Sequence, residues 1–276
     1  MAVPLDPGLY IVATPIGNLG DLSPRAADIL SRADLVACED TRVTAKLLRH
    51  VGARVPMRPY HDHSDKAARD DLVARAGTQA VVLVSDAGTP LISDPGFKLV
   101  RAARAAGRHI VTLPGPCAAV AALTLAGLPT DRFLFLGFLP SKEKARADAI
   151  AEVAAIRASL VLYESGPRLG ATLAALTAEL GERPAAVARE VSKAFEECVT
   201  GTLGELAVRY ADAPPRGEIV IVVGPPDAAP QAGDVDAMLA AALERMPAAK
   251  AAGEVARATG VPRAELYARA LALKAR

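Results

Sequence analysis

The sequence predicts an α/β protein of two halves, each built on strand–helix units, with a helical tail. Three observations predict it. Short apolar runs alternate with helix-like segments through residues 1–126, the pattern of a mostly parallel sheet covered by helices on both faces. The alternation restarts after Gly127-Leu128-Pro129-Thr130. A proline-rich stretch, Pro225 to Gly233, then precedes a segment that is helical throughout in pattern. These breaks predict an N-terminal α/β domain over 1–126, a second α/β domain over 127–226 and a helix-turn-helix-like tail over 234–276.

In the first half, Leu9 to Ala13 reads as a strand. Ser23 suits an N-cap, with Pro24 at the first position of a helix to about Arg32. Leu35 to Cys38 is the second strand. A helix follows from about Thr44 to Val51, ended by Gly52. Met57 to Tyr60 is a short strand, Asp65 to Ala76 a helix stopped by Gly77, and Ala80 to Val84 a buried strand. Asp94-Pro95 opens a helix that Gly107 closes, and Ile110 to Leu113 completes this half.

The second half predicts a strand at Phe133 to Leu139 and a polar helix from Ser141 to about Ile156. A strand at Leu160 to Tyr163, a helix from Arg168 to Leu180 and a strand at Ala185 to Ala188 follow. Thr202 with Glu205 has the spacing of a capping box, and Ile219 to Val223 is a closing strand. In the tail, Gly260 suits the turn between two helices. The second runs from Arg263 to Lys274 with apolar Leu266, Ala270 and Leu273. Around it Arg263, Arg269, Lys274 and Arg276 stand against Glu265, a balance that suits either a grip on phosphates or a helical cap on the core.

Bulk properties narrow the function. With 276 residues and 51% apolar residues, a sizeable core is readily buried. The formal net charge is +1, so any polyanion must be held by a local patch rather than by a globally basic surface. Cys38, Cys117 and Cys198 lie far apart with no CxxC pair, which fits a reducing compartment and hence the cytoplasm. Met1 to Pro7 lacks a basic signal-peptide region, and no apolar stretch is long enough to predict a membrane span.

In parallel sheets, ligands bind outside the carboxyl ends of the strands, so the loops there are the candidates. Thr14 to Asp21 holds two glycines and a proline directly after the first strand, which suits close backbone approach by a ligand or an ordinary tight turn. Glu39-Asp40-Thr41-Arg42 places two carboxylates and an arginine at the second strand's end, as a ligand site or as acidic capping of the next helix. Ser85 to Gly96 is the most informative. It is longer than the few residues a plain connection needs and is rich in small, turn-forming and acidic residues, as in a loop that wraps a ligand. Leu113 to Cys117, Tyr163 to Arg168 and Arg189 to Lys193 occupy comparable positions.

Other chemistries fit poorly. The chain lacks GxSxG, a Walker A loop and a GxGxxG after a strand. His61-Asp62-His63 is the one histidine cluster, with no cysteine near it in sequence, so no metal is expected. The apolar surroundings of Cys117 suit a buried thiol better than a nucleophile.

Taken in order, the runs ATPIGNLGDLS (13–23), ACEDTR (37–42), VSDAGTPLISDPG (84–96), LPGPCAAVAAL (113–123), GLPTDRF with GFLP (127–133 and 137–140) and LYES (162–165) closely resemble the bacterial ribosomal RNA small-subunit methyltransferase I family. That family lies in the tetrapyrrole-methylase-like superfamily, and the resemblance spans nearly the whole chain. It implies a two-domain tetrapyrrole-methylase-like fold holding S-adenosylmethionine between the domains, commonly in a homodimer. The implied activity is methylation of the ribose 2′-hydroxyl of cytidine 1402 in 16S rRNA, with an assembled small ribosomal subunit as the substrate.

By the same resemblance the cofactor touches Pro15, Ile16, the loop of Asp86 with Gly88, Thr89, Pro90 and Ile92, then Cys117, Ala118 and Tyr163, with Ala188 and the closing strand adding contacts. A positioned base helps a weakly acidic hydroxyl react. Glu39, Asp40 and Asp94 are its candidates, and Arg42 is the candidate phosphate ligand. Two departures stand out. The family usually reads Tyr-Glu-Ser-Pro-His-Arg where this chain has Tyr163 to Arg168 with Gly166-Pro167, and Leu-Thr-Lys where it has Val191-Ser192-Lys193. The alternative within enzymes is methylation of a small tetrapyrrole-like substrate, since a fold does not fix its substrate. A non-enzymatic nucleic-acid-binding protein working through the tail leaves the strand-end loops unexplained.

Overall fold

A computed structural model describes residues 4–61, 64–226 and 232–274. Five short apolar strands form its first sheet: β1 (Gly8–Val12), β2 (Leu35–Cys38), β3 (Met57–Pro59), β4 (Ala80–Leu83) and β5 (Ile110–Leu113). Their order is β3-β2-β4-β1-β5, and every pair is parallel. The connecting helices are α1 (Pro24–Arg32), α2 (Thr41–His50), α3 (Lys66–Arg75) and α4 (Phe97–Ala105).

The strands are apolar on both faces, as a sheet covered on both sides requires. Tyr10, Val12, Val36, Cys38 and Val82 pack with Ile29 and Leu30 of α1 and Leu47 and Leu48 of α2. The alternate residues Leu9, Leu35, Ala37, Val81 and Leu83 pack with Leu72 of α3 and Leu99 and Ala103 of α4. Because the strands are parallel, their carboxyl ends share one edge, and the loops after β1, β2, β4 and β5 emerge together.

α5 (Ala118–Leu125) leads into a second sheet formed by β6 (Phe133–Phe138), β7 (Ser159–Ser165), β8 (Pro184–Arg189), β9 (Glu197–Thr202) and β10 (Glu218–Val223). Its order is β6-β7-β10-β8-β9. Only β6 and β7 run parallel, and the remaining pairs are antiparallel. One face packs on α6 (Glu143–Val153), α7 (Gly166–Leu180) and α8 (Leu203–Tyr210), through Ile150, Leu169, Leu173 and Leu206. On the other, Ala119, Ala122 and Leu123 of α5 meet Val161, Ala186, Ala188, Val220 and Val222.

The chain forms two compact units, Met1–Pro226 and Asp227–Arg276. The second contains α9 (Ala232–Leu243), α10 (Ala248–Thr259) and α11 (Arg263–Lys274), whose core includes Val235, Leu239, Ala251, Val255, Leu266 and Ala270. Gly260 closes α10 at φ 70°, a left-handed conformation that glycine adopts without steric cost. Arg269 pairs with Glu265 at 2.7 Å and Asp236 at 3.7 Å, and an Arg263 N–H donates to the Ala249 carbonyl at 3.2 Å. Two of the tail's expected phosphate ligands are therefore engaged within the tail itself. Arg276, Asp62, His63 and residues 227–231 of the expected linker lie outside the described residues.

Several elements depart from the sequence expectation. α2 starts at Thr41 rather than near Thr44, because the Asp40 carboxylate accepts from the Arg42 N–H and caps it. α4 starts at Phe97, so Asp94 and Pro95 stay in the loop and Gly96, at φ 133°, stands at the cap. α7 begins at Gly166, two residues before Arg168. The expected closing strand is central, between β7 and β8. Strand β9 has no counterpart in the sequence reading. It is an edge strand, largely half-buried, so it presents no continuous apolar run. Among the described residues, no helix is long and apolar enough to cross a membrane.

Candidate functional site

Three strand-end loops of the first sheet are fastened to one another. The Thr14 N–H donates to the Gly88 carbonyl at 2.8 Å, and the Gly88 N–H returns to the Thr14 carbonyl at 3.0 Å. This bridge joins the loop after β1 to the loop after β4. The Thr89 hydroxyl donates to the Pro116 carbonyl at 2.8 Å, which adds the loop after β5. Gly88 at φ 78°, Leu91 at φ 75° and Ser93 at φ 59° all take the left-handed region. For leucine and serine that conformation costs of order 1–3 kcal/mol each and persists only where the surroundings enforce it, typically at ligand sites.

These loops border a cavity of about 380 Å³, within the range of small-ligand sites. Its apolar wall comprises Ile16, Ile92, Cys117, Ala118, Phe138, Tyr163, Val191 and Val220, and Asp86 and Asp94 contribute carboxylates. The Tyr163 hydroxyl accepts from the Ala119 N–H at 3.2 Å, at the start of α5, so β7 is pinned to the helix beside the cavity. Burial pushes that hydroxyl's pKa up, with Cys117 adding to the effect.

Behind Tyr163 lies Glu164, only 3% exposed. Its carboxylate accepts from the Ser165 N–H at 2.8 Å and the Thr172 hydroxyl at 2.6 Å, and it pairs with Arg168 at 3.2 Å. Arg168 also donates to the Leu139 carbonyl at 2.6 Å. A buried carboxylate needs such partners, and here they hold the YES turn between β7 and α7. Gly166 is tightly enclosed: a Cβ there would stand 1.7 Å from the Pro215 carbonyl oxygen. The Gly166-Pro167 departure thus coincides with a close backbone approach, and Arg168 keeps its hold on Glu164.

Residues 190–193 reach back to the first loop. Ser192 hydrogen-bonds Asp21, and a Cβ on Gly17 would stand 2.2 Å from Lys193 Cγ. Lys193 itself pairs with Glu190 at 2.9 Å and Glu218 at 2.8 Å. Glu190 at φ 50° and Ser192 at φ 67° are again left-handed.

The two acidic loops carry opposite electrostatics. Asp94 is pushed up to about 6 by burial, with the Glu39 and Asp86 carboxylates adding to the rise and a hydrogen bond from Ser85 opposing it. Asp40 is held down at about 2 by its hydrogen bonds with the Arg42 side chain and backbone. The Arg42 guanidinium grips that carboxylate at 2.6 to 3.1 Å while staying largely exposed.

Of the residues singled out from the sequence, Ile16, Asp86, Gly88, Thr89, Ile92, Asp94, Cys117, Ala118 and Tyr163 line this cavity. Pro15 and Pro90 lie beside lining residues in the chain. Ala188 is fully buried in β8, paired with cavity-lining Val220 of β10. Glu39, Asp40 and Arg42 stand outside the lining, joined to it where the Asp40 N–H meets Asp86. Phe138, Glu164, Ser165 and Val191 also line the cavity but had not been marked as site residues. The GFLP and LYES runs and the loop after β8 had already drawn attention to their neighbourhoods. Gly217 and Glu218 carried no signal, because the loop before β10 has no motif of its own. Among the described residues, no group of three or more His, Cys, Asp or Glu side chains is placed to hold a metal ion.

Comparison with known proteins agrees with this architecture. Residues 8–207 match the family model of tetrapyrrole (corrin/porphyrin) methylases, and residues 229–274 match the RsmI C-terminal HTH domain. A protein of Erythrobacter litoralis named ribosomal RNA small subunit methyltransferase I is 57% identical, covering 99% of this chain and 98% of its own. Its namesake from Escherichia coli O157:H7 is 44% identical, covering 95% and 94%. Among solved structures, a diphthine synthase superposes with a TM-score of 0.60 at 20% identity, covering 78% of this chain and 89% of its own. A uroporphyrin-III C-methyltransferase of Thermus thermophilus, solved with S-adenosylhomocysteine, superposes with a TM-score of 0.54 at 22% identity, covering 79% and 97%. These two likenesses show the fold alone.

Proposed function

Since the chain belongs to the ribosomal RNA small-subunit methyltransferase I family of the tetrapyrrole methylases, we propose that it methylates the ribose 2′-hydroxyl of cytidine 1402 in 16S rRNA, taking the methyl group from S-adenosylmethionine. The observation that carries this reading is the cavity that strand-end loops of the first sheet form with β7 and β10, with Asp94 in its wall.

The residues present fit the cofactor. The apolar lining and the turn-rich backbone of the loop after β4 suit an adenosine, and the Asp86 and Asp94 carboxylates suit the adjoining sulfonium. Ile16, Asp86, Gly88, Thr89, Ile92, Cys117, Ala118 and Tyr163 would hold it, with Pro15, Pro90 and Ala188 in support. The cofactor supplies an activated methyl group, so the protein's main task is to align the two reacting atoms.

Asp94 is the proton acceptor in this proposal. It lines the cavity, and its raised pKa of about 6 makes it a better base near neutral pH than Asp40 at about 2. With the methyl donor bound, the Asp94 carboxylate would accept the proton that the ribose hydroxyl loses on methylation. Glu39 and Asp86 then serve by keeping that carboxylate basic. Arg42, exposed at the rim, is placed to meet a phosphate of the RNA backbone. We read residues 1–126 and 127–226 as the two domains that frame the site, and residues 234–276 as an RNA-contacting module. We read the enzyme as a cytoplasmic homodimer that acts on the assembled small subunit. The tetrapyrrole alternative is supported by the family model over residues 8–207 and by likeness of fold, whereas the full-length relatives carry the RNA reading.

The test is to incubate the purified protein with radiolabelled S-adenosylmethionine and small ribosomal subunits from a strain lacking the corresponding methyltransferase. Alkali-resistant label at one cytidine is the expected result. Intact cofactor binding without any label on RNA would point to a different substrate.

A further inference from the structure

Phe138 is turned into the site by a fault in its strand. Between Phe135 and Gly137 the register of β6 against β7 shifts, with Gly137 at φ 63°. In an unbroken strand, residues three apart point to opposite faces. The bulge cancels that alternation. Phe135 and Phe138 consequently both stand against Tyr163, with ring centroids at 4.9 and 5.6 Å and interplanar angles of 70° and 63°. Gly137 also sits close to the loop that carries Asp94, since a Cβ there would lie 2.9 Å from the Ser93 hydroxyl.

The two rings have different surroundings. Phe135 packs against the apolar core under α5. Phe138 is 57% exposed while lining the cavity. Core packing does not account for a ring left mostly in water. An aromatic face at a cavity rim, supported edgewise by a second ring, is the chemistry that receives an unstacked nucleobase. In the reading above Ile16, Cys117, Ala118 and Tyr163 are among the residues that would hold the cofactor, and Phe138 is left for the group that arrives with each turnover.

We propose that Phe138 is the platform on which the base of the target nucleotide stacks while its ribose is presented to Asp94. This rests on the RNA-methylating reading above, and it adds a substrate-positioning contact to it.

The experiment compares wild type with Phe138→Ala, Phe138→Leu and Phe138→Trp on small subunits, measuring kcat, KM for the subunits and Kd for S-adenosylmethionine. Alanine and leucine are expected to raise KM for the subunits about tenfold or more, the loss of one base stack, with cofactor Kd within about twofold of wild type. Tryptophan, which restores a π face, is expected to recover most of the loss. The proposal is overturned if alanine leaves KM unchanged, if leucine behaves as wild type, or if the cofactor Kd rises in step with KM. If wild-type protein labels no RNA in the same assay, the RNA reading fails and takes the stacking contact with it.

Discussion

The backbone N–H of Asp40 donates to the Asp86 carboxylate at 3.0 Å, joining the loop after β2 to the loop after β4. One end of this link caps α2 and grips Arg42, and the other lines the cavity. The exposed guanidinium and the cavity wall are thereby held in one frame. Asp86→Ala is expected to lower kcat/KM for subunits by roughly tenfold, the value of one hydrogen bond to a charged group. A melting point within a few degrees of wild type would show that the loss lies in the site, through cofactor contact and loop positioning, rather than in the fold. Unchanged kinetics would show that the two loops need no such tie.

Asp94 sets the pH dependence. Its rate-supporting form is deprotonated, so kcat should rise through pH of about 6 and level off above it. Asp94→Asn should lower kcat about a hundredfold or more while S-adenosylmethionine still binds. Stability should move the other way. The folded state holds a proton that the unfolded state, at the ordinary 3.8, has released, so wild-type stability falls as pH rises from about 4 to about 6. The asparagine variant should therefore melt higher than wild type at neutral pH, with the gap closing toward pH 4. Calorimetry across that range checks the sign.

Arg42→Ala should weaken subunit binding and flatten its salt dependence by about one phosphate contact, leaving cofactor affinity alone. A plot of affinity against salt concentration distinguishes this from a structural role, which would not alter the slope.

Gly166→Ala should destabilise the fold by about 1–3 kcal/mol, because the added methyl meets a backbone carbonyl rather than a side chain that can swing away. Thermal or urea denaturation reads this directly, and a wild-type midpoint would show that the loop at Pro215 yields readily.

Removing residues 227–276 should leave S-adenosylmethionine binding intact, since Met1–Pro226 is a compact unit with its own two sheets. Subunit binding should fall. Loss of both by calorimetric titration would make the tail a structural requirement. Arg263 and Arg269 are already engaged within the tail, so single substitutions there should affect its stability as much as its grip on RNA.

By itself the sequence determined the strand–helix order of the first sheet and the helical tail. These follow from local physics: apolar runs, Ser23 with Pro24, the capping box of Thr202 and Glu205, and a left-handed glycine at 260 each act within a few residues. It also marked the loops after β1, β2, β4 and β5 as candidates, the one after β4 because it is too long and too rich in small and acidic residues for a plain connection. Tertiary structure decided the rest. Half-exposed β9 becomes a strand only by pairing with β8, and the position of β10 between β7 and β8 depends on partners distant in the chain. So do the division of labour between Asp40 and Asp94 and the turning of Phe138 onto Tyr163. In sequence Asp40 and Asp94 are both acidic residues in strand-end loops. Only folding, which leaves both half-buried, sets Asp40 against Arg42 and Asp94 near Glu39 and Asp86, and a carboxyl group's pKa is set by that environment.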